Sequence, residues 1–401
     1  MKKLDVHLTL PDANSLFCGE IVCREPDSRG RIAGAFRYRE DFLNNPAAFA
    51  LDPRALVLSS REYETNRPTG VPGVFEDSLP DDWGRRLMVR KAELPRSRQT
   101  VPNLLSVLGG NGLGALAYFE KGTDPGKQTG TNLAGLQDLL EVAWRYDAGE
   151  IVAKNELHML FKAASSPGGA RPKALIRTDD GSQWIAKFPS SRDRLPVVPI
   201  EAATLSLAAE AGITVPDFKV VPVGRRQVLL VRRFDVTRAG GRRHMLSFQS
   251  LLGAEGYYRL GYPDLFESLR KYSFQPQIDT RALYRQMVFN AAIGNTDDHL
   301  KNFTLLHDDA GYYLSPAYDL LPDTADRREH VLYFENSHLA PDRSALLRLA
   351  RRLGIGNAEN MVDGVRQAVA GWRGKFKEFG IADKTIKQIE PGISKRVSAL
   401  V

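Results

Sequence analysis

The feature that most constrains this chain is a junction. The apolar run "LYRQMVFNAA" (residues 283–292) passes without a spacer into "IGNTDDHLKNF" (residues 293–303), which holds two acids, a histidine, a lysine and two asparagines. The run reads as a buried helix stopped at Gly294, since glycine tolerates the left-handed backbone that ends helices. Capping a helix end takes one or two polar groups, and this one is followed by six. A rigid helix that presents so many polar side chains supports a site better than it supports a surface turn.

The chain is 401 residues long, enough for two or three packed units. It is 43% hydrophobic and 26% charged. That is globular composition and argues against wholesale disorder. Lys and Arg outnumber Asp and Glu by 55 to 48. The balance suits an anionic partner such as a nucleotide but points only weakly to nucleic acid. The two cysteines, Cys18 and Cys23, have no others with which to build a tetrahedral zinc site. They read as reduced thiols near a strand. No apolar run approaches the ~20 residues of a membrane helix. The opening "MKKLDVHLTLPDANS" lacks a signal-peptide core, so a cytoplasmic protein is expected.

Alternation in "LDVHLTL", "IAGAFRY" and "LGALAYFE" predicts a β-rich segment over residues 1–120. Within it, "FEDSLPDDWGRRLMVRKAEL" reads as a turn and a helix with Asp81 or Asp82 at the N-cap. Residues 121–134, "KGTDPGKQTGTN" and its flank, read as a linker. Residues 135–244 form a mixed α/β lobe with strands "KALIRT", "QWIAKF", "FKVVPV" and "QVLLVRRF". Residues 245–401 turn helical, interrupted by a hairpin "FTLLHDDAGYYLSP". A cleft between the two halves is the expected ligand site.

Asp297 and Asn302 stand in the spacing Asp-x4-Asn that protein kinases use in the catalytic loop, where the Asp accepts a hydroxyl proton and the Asn holds Mg2+. The hairpin then leads to "SPAYDLL", so Asp319 is placed to join Asn302 on the metal from across a strand pair. Upstream, "SSPGGARPKAL" sets Gly168 and Gly169 between a helix and a strand. There the N–H groups of Gly168 to Arg171 and of Lys173 can meet a phosphate, while Pro167 and Pro172 offer none. This loop matches neither the P-loop nor the G-x-G-x-x-G pattern. Lys187, on the strand "QWIAKF", is placed to hold nucleotide phosphates, with Glu201 as an orienting acid and Asp193 as a competitor for the same lysine. The segment "VLLVRRFD" is placed as the hinge that meets adenine.

Taken together, "SPGGARPKA", "WIAKFP", "LVRRFD", "IGNTDDHLKNF" and "SPAYDLLP" resemble, in order and spacing, the HipA-family serine/threonine kinases, the toxins of HipBA-type toxin–antitoxin pairs. "GVFEDSLPDDWGRRL" and "GLGALAYFE" resemble that family's N-terminal subdomain, and the likeness thins toward the C-terminal end. It implies an α+β, distantly protein-kinase-like, two-lobed fold: a mixed α/β N-terminal half with an extra β-rich subdomain, and an all-α C-terminal half. It implies Asp297 as catalytic base and Asn302 and Asp319 as Mg2+ ligands. Gly168, Gly169, Ala170, Arg171, Pro172 and Lys173 would face the ATP phosphates and Lys187 would contact them. Arg232, Arg233 and Phe234 would meet the adenine, and His299, Leu300, Lys301, Asn302 and Tyr318 would line the rest of the pocket. Ser166 falls where family members carry an autophosphorylated serine whose modification ejects the loop, with Ser165 beside it.

The family acts on translation components, notably an aminoacyl-tRNA synthetase, and is neutralised by a small DNA-binding antitoxin, HipB-like; DNA contact would be indirect. The chain departs from the family at Arg232, where members can carry Glu, and at Arg171-Pro172. Two other readings stand beside this one. A small-molecule phosphotransferase would place its aspartate after a histidine, whereas Asp297 and Asp298 both precede His299. An inactive nucleotide-binding corepressor is disfavoured by the presence of Asp297, Asn302, Asp319 and Lys187. The basic stretch "WRGKFKEFG" suits either DNA beside an antitoxin or a solvated amphipathic helix.

Overall fold

The computed structural model describes residues 1–121, 123, 131–132, 135–163, 171–324 and 327–401. Most of the expected linker, and Ser165, Ser166, Gly168, Gly169 and Ala170 of the expected phosphate loop, lie outside the described residues. The chain divides into two compact units. One comprises Met1–Arg192, Pro222–Gly253 and Leu306–Ala310, and the other Asp193–Val221, Ala254–Leu305 and Gly311–Val401.

The first unit opens with strands β1 (Lys2–Thr9), β2 (Ser15–Cys23), β3 (Gly34–Tyr38), β4 (Glu62–Thr65) and β5 (Leu116–Glu120). They form an antiparallel sheet ordered β4-β3-β2-β1-β5. Alternation drives it: Leu4, Val6 and Leu8 are buried from β1, Phe36 and Tyr38 from β3, and Leu116 and Tyr118 from β5. Each such apolar side chain contributes roughly 1.5–3 kcal/mol on burial. The two cysteines, expected near a strand, belong to β2, and both thiols are buried and free. The predicted turn and helix resolve into a short and a longer helix, Gly73–Glu76 and Asp82–Lys91, with Asp81 at the N-cap of the second.

A second sheet of this unit sets β6 (Thr131–Asn132), β7 (Lys173–Arg177), β8 (Gln183–Lys187) and β10 (Arg226–Arg232) side by side, with β9 (Phe218–Val223) preceding β10 in sequence. One residue joins distant motifs in this unit. Asp235, buried, accepts from Arg233 Nε and Nη2 at 3.0 and 2.6 Å and from the Gly114 N–H at 2.8 Å, with Arg242 Nη1 at 3.6 Å. "GLGALAY" and "LVRRFD" are therefore two sides of one ion-pair cluster. Burial alone would raise the Asp235 carboxyl, but the two guanidiniums and the N–H outweigh it and hold it below its ordinary range.

The second unit is mainly helical. Helix Val197–Glu210 is buried nearly all round and packs against Ala358–Ala370 and Trp372–Glu378. Helix Pro276–Ile293 packs against Tyr262–Tyr272, Ala358–Ala370 and Asp383–Ser398. Two expectations need correction. His244–Ser247 is a strand, β11, where a helix start was expected at about Met245. Residues 315–342 carry no helix among those described, because two prolines open that stretch and its backbone bonds go to other segments. The hairpin itself is present as β12 (Thr304–Asp308) and β13 (Gly311–Leu314).

Candidate active site

The loop after Gly294 is built by the helix that precedes it. Pro276 opens the helix at a position where its missing N–H costs nothing. Asp279 then fastens the first turn, accepting from Ser273 Oγ at 2.6 Å, Gln275 Nε2 at 3.0 Å and the Leu314 N–H of β13 at 2.9 Å. From Gln286 to Ile293 every side chain is buried, so the helix is fixed on all sides. Gly294 ends it at φ 77°, and a Cβ there would sit 3.0 Å from Arg396 Nη1.

Beyond Gly294, Asn295, Thr296 and Asp298 are buried, and Asp297 is the exposed residue among them. Asp298 Oδ2 accepts from Tyr262 Oη at 2.8 Å and His330 Nδ1 at 3.1 Å, and Oδ1 from the N–H groups of Val331 and Leu332 at 2.9 and 3.3 Å. Asn302, in a single 3₁₀ turn (Leu300–Asn302), donates Nδ2 to the Asp297 carbonyl at 2.9 Å. That bond spends the amide nitrogen and leaves Oδ1 as the acceptor, the atom type a hard cation takes. Tyr258 Oη accepts the Leu300 N–H at 3.3 Å. Burial raises the Tyr258 hydroxyl, the Leu300 N–H opposes this, and the charges of Asp298 and Asp297 add to it.

Tyr318 joins the two expected metal ligands through the backbone. Its hydroxyl meets the Lys301 carbonyl at 2.7 Å and Thr304 Oγ1 at 2.6 Å, binding the residue before Asp319 to the residue before Asn302. Asp319 adopts φ 57°. Non-glycine residues take this left-handed conformation uncommonly, Asp and Asn most readily among them. Among the described residues no three His, Cys, Asp or Glu side chains gather as a metal site. The expected donor set, the Asn302 amide oxygen and the Asp319 carboxylate, is of the kind that suits Mg2+, an ion that keeps several waters of its own.

In the first unit, Lys173 of β7 and Lys187 of β8 are directly opposite in the antiparallel register, with Leu229 of β10 next across. Both lysines thus lie on one face of the sheet. Lys173 is buried and Lys187 half-buried. Around the expected hinge, the Arg233 N–H donates to the Gln183 carbonyl at 2.9 Å and the Phe234 carbonyl accepts from Arg243 Nη1 at 2.9 Å. The Arg233 side chain belongs to the Asp235 cluster. Arg232 lies opposite Trp184.

Tyr258, Tyr262 and His330 were not singled out from the sequence. Tyrosines and a histidine scattered between positions 258 and 330 carry no spacing signal; only their bonds to the loop reveal them.

An N-terminal antiparallel sheet, a second sheet bearing two opposed lysines, and a helical unit with this loop make up a fold of the HipA type. Residues 20–119 match the family model of the HipA N-terminal domain, and residues 165–372 that of the HipA-like C-terminal domain. The chain belongs to the HipA family. It is 29% identical over 411 residues to the Sinorhizobium fredii protein named "Putative kinase Y4mE", covering 90% of this chain and 92% of that one. "Putative kinase Y4dM" of the same organism is 27% identical over 398 residues, with 90% and 91% covered. The fold of this chain is similar to a chain in the complex of Shewanella oneidensis MR-1 HipA, HipB and operator DNA, with a TM-score of 0.72 at 18% identity over 99% of this chain and 96% of that one.

Proposed function

We propose that this chain is an ATP- and Mg2+-dependent protein serine/threonine kinase of the HipA toxin type. The observation that carries the reading is the bracketing of Asp297. Its carboxylate is exposed, its carbonyl is held by Asn302, and Tyr318 links Lys301 to the left-handed Asp319. Asp297 accepts the hydroxyl proton of the acceptor serine or threonine. Asn302 Oδ1 and the Asp319 carboxylate would hold Mg2+, and Lys173, Lys187 and residues 168–172 would face the ATP phosphates. Mg2+ held there would neutralise charge on the transferring phosphate. Ser166 is the proposed site of self-phosphorylation.

The family likeness and the two kinase-named relatives support this reading. The Shewanella neighbour, seen with HipB and DNA, supports a small DNA-binding antitoxin as partner. A translation component, such as an aminoacyl-tRNA synthetase, is the proposed substrate and the cytoplasm the proposed compartment. No helix among the described residues is long and apolar enough to cross a membrane. We further propose residues 1–120, 121–134, 135–244 and 245–401 as the functional segments.

The test is incubation with labelled ATP and Mg2+, alone and with cell lysate, followed by mass-spectrometric mapping. The Asp297→Asn protein, which keeps the shape and removes the base, is expected to lose about 10²–10⁴-fold of the labelling. Equal labelling by both proteins removes Asp297 from the chemistry. Self-labelling confined to residues other than Ser165 and Ser166 removes the loop proposal, and failure to bind ATP at all favours the corepressor.

A further inference from the structure

The proposed chemistry makes no use of Asp298, although it is wholly buried and accepts four hydrogen bonds. A buried carboxylate is costly unless each lone pair is met, and here four donors meet it. Three of the four come from one short segment, His330, Val331 and Leu332, downstream of Asp319. The Val331 N–H also reaches the Thr296 carbonyl at 3.2 Å, on the other side of Asp297.

That segment is itself fixed to the second unit's helical core. The Tyr262 N–H donates to the Tyr333 carbonyl at 2.8 Å, and Gly261 permits the approach, since a Cβ there would fall 2.3 Å from that oxygen. The Phe334 ring packs 5.1 Å from Tyr262 and 4.9 Å from His330. Tyr262 closes the circuit. Its hydroxyl donates to Asp298 and accepts Asn290 Nδ2 at 3.0 Å, and Asn290 Oδ1 in turn accepts Asn295 Nδ2 at 3.2 Å. Burial, and next the Asp298 charge, push the Tyr262 hydroxyl well above its ordinary range, so it stays a donor.

We infer that Asp298 is a positioning residue through which segment 329–334 sets the place of Asp297, so that this segment controls turnover without touching the reacting atoms. The inference rests on the role proposed for Asp297. Adjacent Cα atoms are separated by a rigid ~3.8 Å. A shift of Asp298 therefore passes directly to Asp297, and a misplacement of about 1 Å at a reacting group costs on the order of 100-fold in rate. His330 Nε2 is buried without a hydrogen-bond partner among the described residues, so the ring serves this arrangement through Nδ1 alone.

The experiment compares the full chain with Asp298→Asn, Asp298→Ala and Tyr262→Phe. Its readouts are single-turnover transfer from labelled ATP, affinity for a fluorescent ATP analogue, and hydrogen exchange of peptides covering 295–300 and 329–334. Asp298→Ala is expected to lower the transfer rate about 100-fold and Asp298→Asn, which keeps one acceptor oxygen, about tenfold. Analogue affinity stays within about twofold, and the two peptides lose protection together and by more than the rest of the unit. Unchanged transfer overturns the inference, and so does affinity that falls in step with rate or exchange that rises equally throughout the unit. If the unaltered chain transfers no phosphate, the kinase reading falls separately. The exchange arm still decides whether Asp298 couples the two segments: coupled loss supports that linkage, and independent protection overturns it.

Discussion

Each unit buries a carboxylate whose partners are of a different kind: Asp235 in the first and Asp298 in the second. Asp235 is met chiefly by charge, with Arg233 paired through two bonds and Arg242 close by, and by a single backbone N–H, that of Gly114. Asp298 is met by a tyrosine hydroxyl, an imidazole nitrogen and two backbone N–H groups. An ion pair is strong at short range but takes two charges out of water, so it holds a structure together most visibly when one partner is removed. Backbone N–H donors are tied to one segment and one direction. They fix where a carboxylate sits rather than merely that it is buried. The first arrangement secures architecture; the second aims a neighbouring side chain.

The largest expected effect breaks the first arrangement. Arg233→Ala strands Asp235 and should destabilise the chain by about 3–5 kcal/mol in a urea titration. Asp298→Ala, which orphans neutral donors, should cost about 1–3 kcal/mol. A smaller loss from Arg233→Ala than from Asp298→Ala would overturn the contrast.

pH sharpens it. The folded carboxyl of Asp235 lies below its unfolded value, so its contribution is present at neutral pH and is lost as pH falls through the folded value. In Arg233→Ala burial acts with one guanidinium fewer, and the carboxyl moves upward. The variant's deficit relative to the parent should then narrow on acidification below neutrality, read by urea midpoints across pH. A deficit that widens instead would place the stabilisation elsewhere.

The smallest effect concerns the support beneath Asp298. Gly294 is left-handed, at φ 77°. Gly294→Ala imposes a Cβ on that conformation and should cost about 1–2 kcal/mol in thermal or urea unfolding. No loss would mean that the helix end is not a fixed platform for the loop.

Much of this was legible in the sequence because it was local. The run 283–292 and Gly294 predicted a helix and its stop, and both are present in Pro276–Ile293 and its cap. Alternation located β1, β3 and β8, apolar or β-rich runs located β5, β7, β9 and β10, and spacing to Asn302 singled out Asp297, which is the exposed acid of its pair. What could not be read was long-range. β2 and β4 have patterns broken by glycine, cysteine and charge, and take their place by pairing with neighbours. The same holds for segment 329–334, whose importance lies in bonds to residues more than thirty positions earlier. The opposed Lys173 and Lys187 need a strand register that no spacing rule supplies.

The division of the chain bears on how it is made. The sequence passes from one unit to the other five times, at 192/193, 221/222, 253/254, 305/306 and 310/311. The first unit therefore lacks a piece of itself until residue 310 has left the ribosome, although most of it is synthesised by residue 192. A chain released early, or a fragment cut at any single one of these borders, leaves at least one unit with a missing part. Expression of separate halves and exchange of halves between relatives meet the same obstacle. The unit bearing Asp297 is completed only once residues 311–401 have been made, so the proposed activity follows the synthesis of Asp297 itself by about a hundred residues.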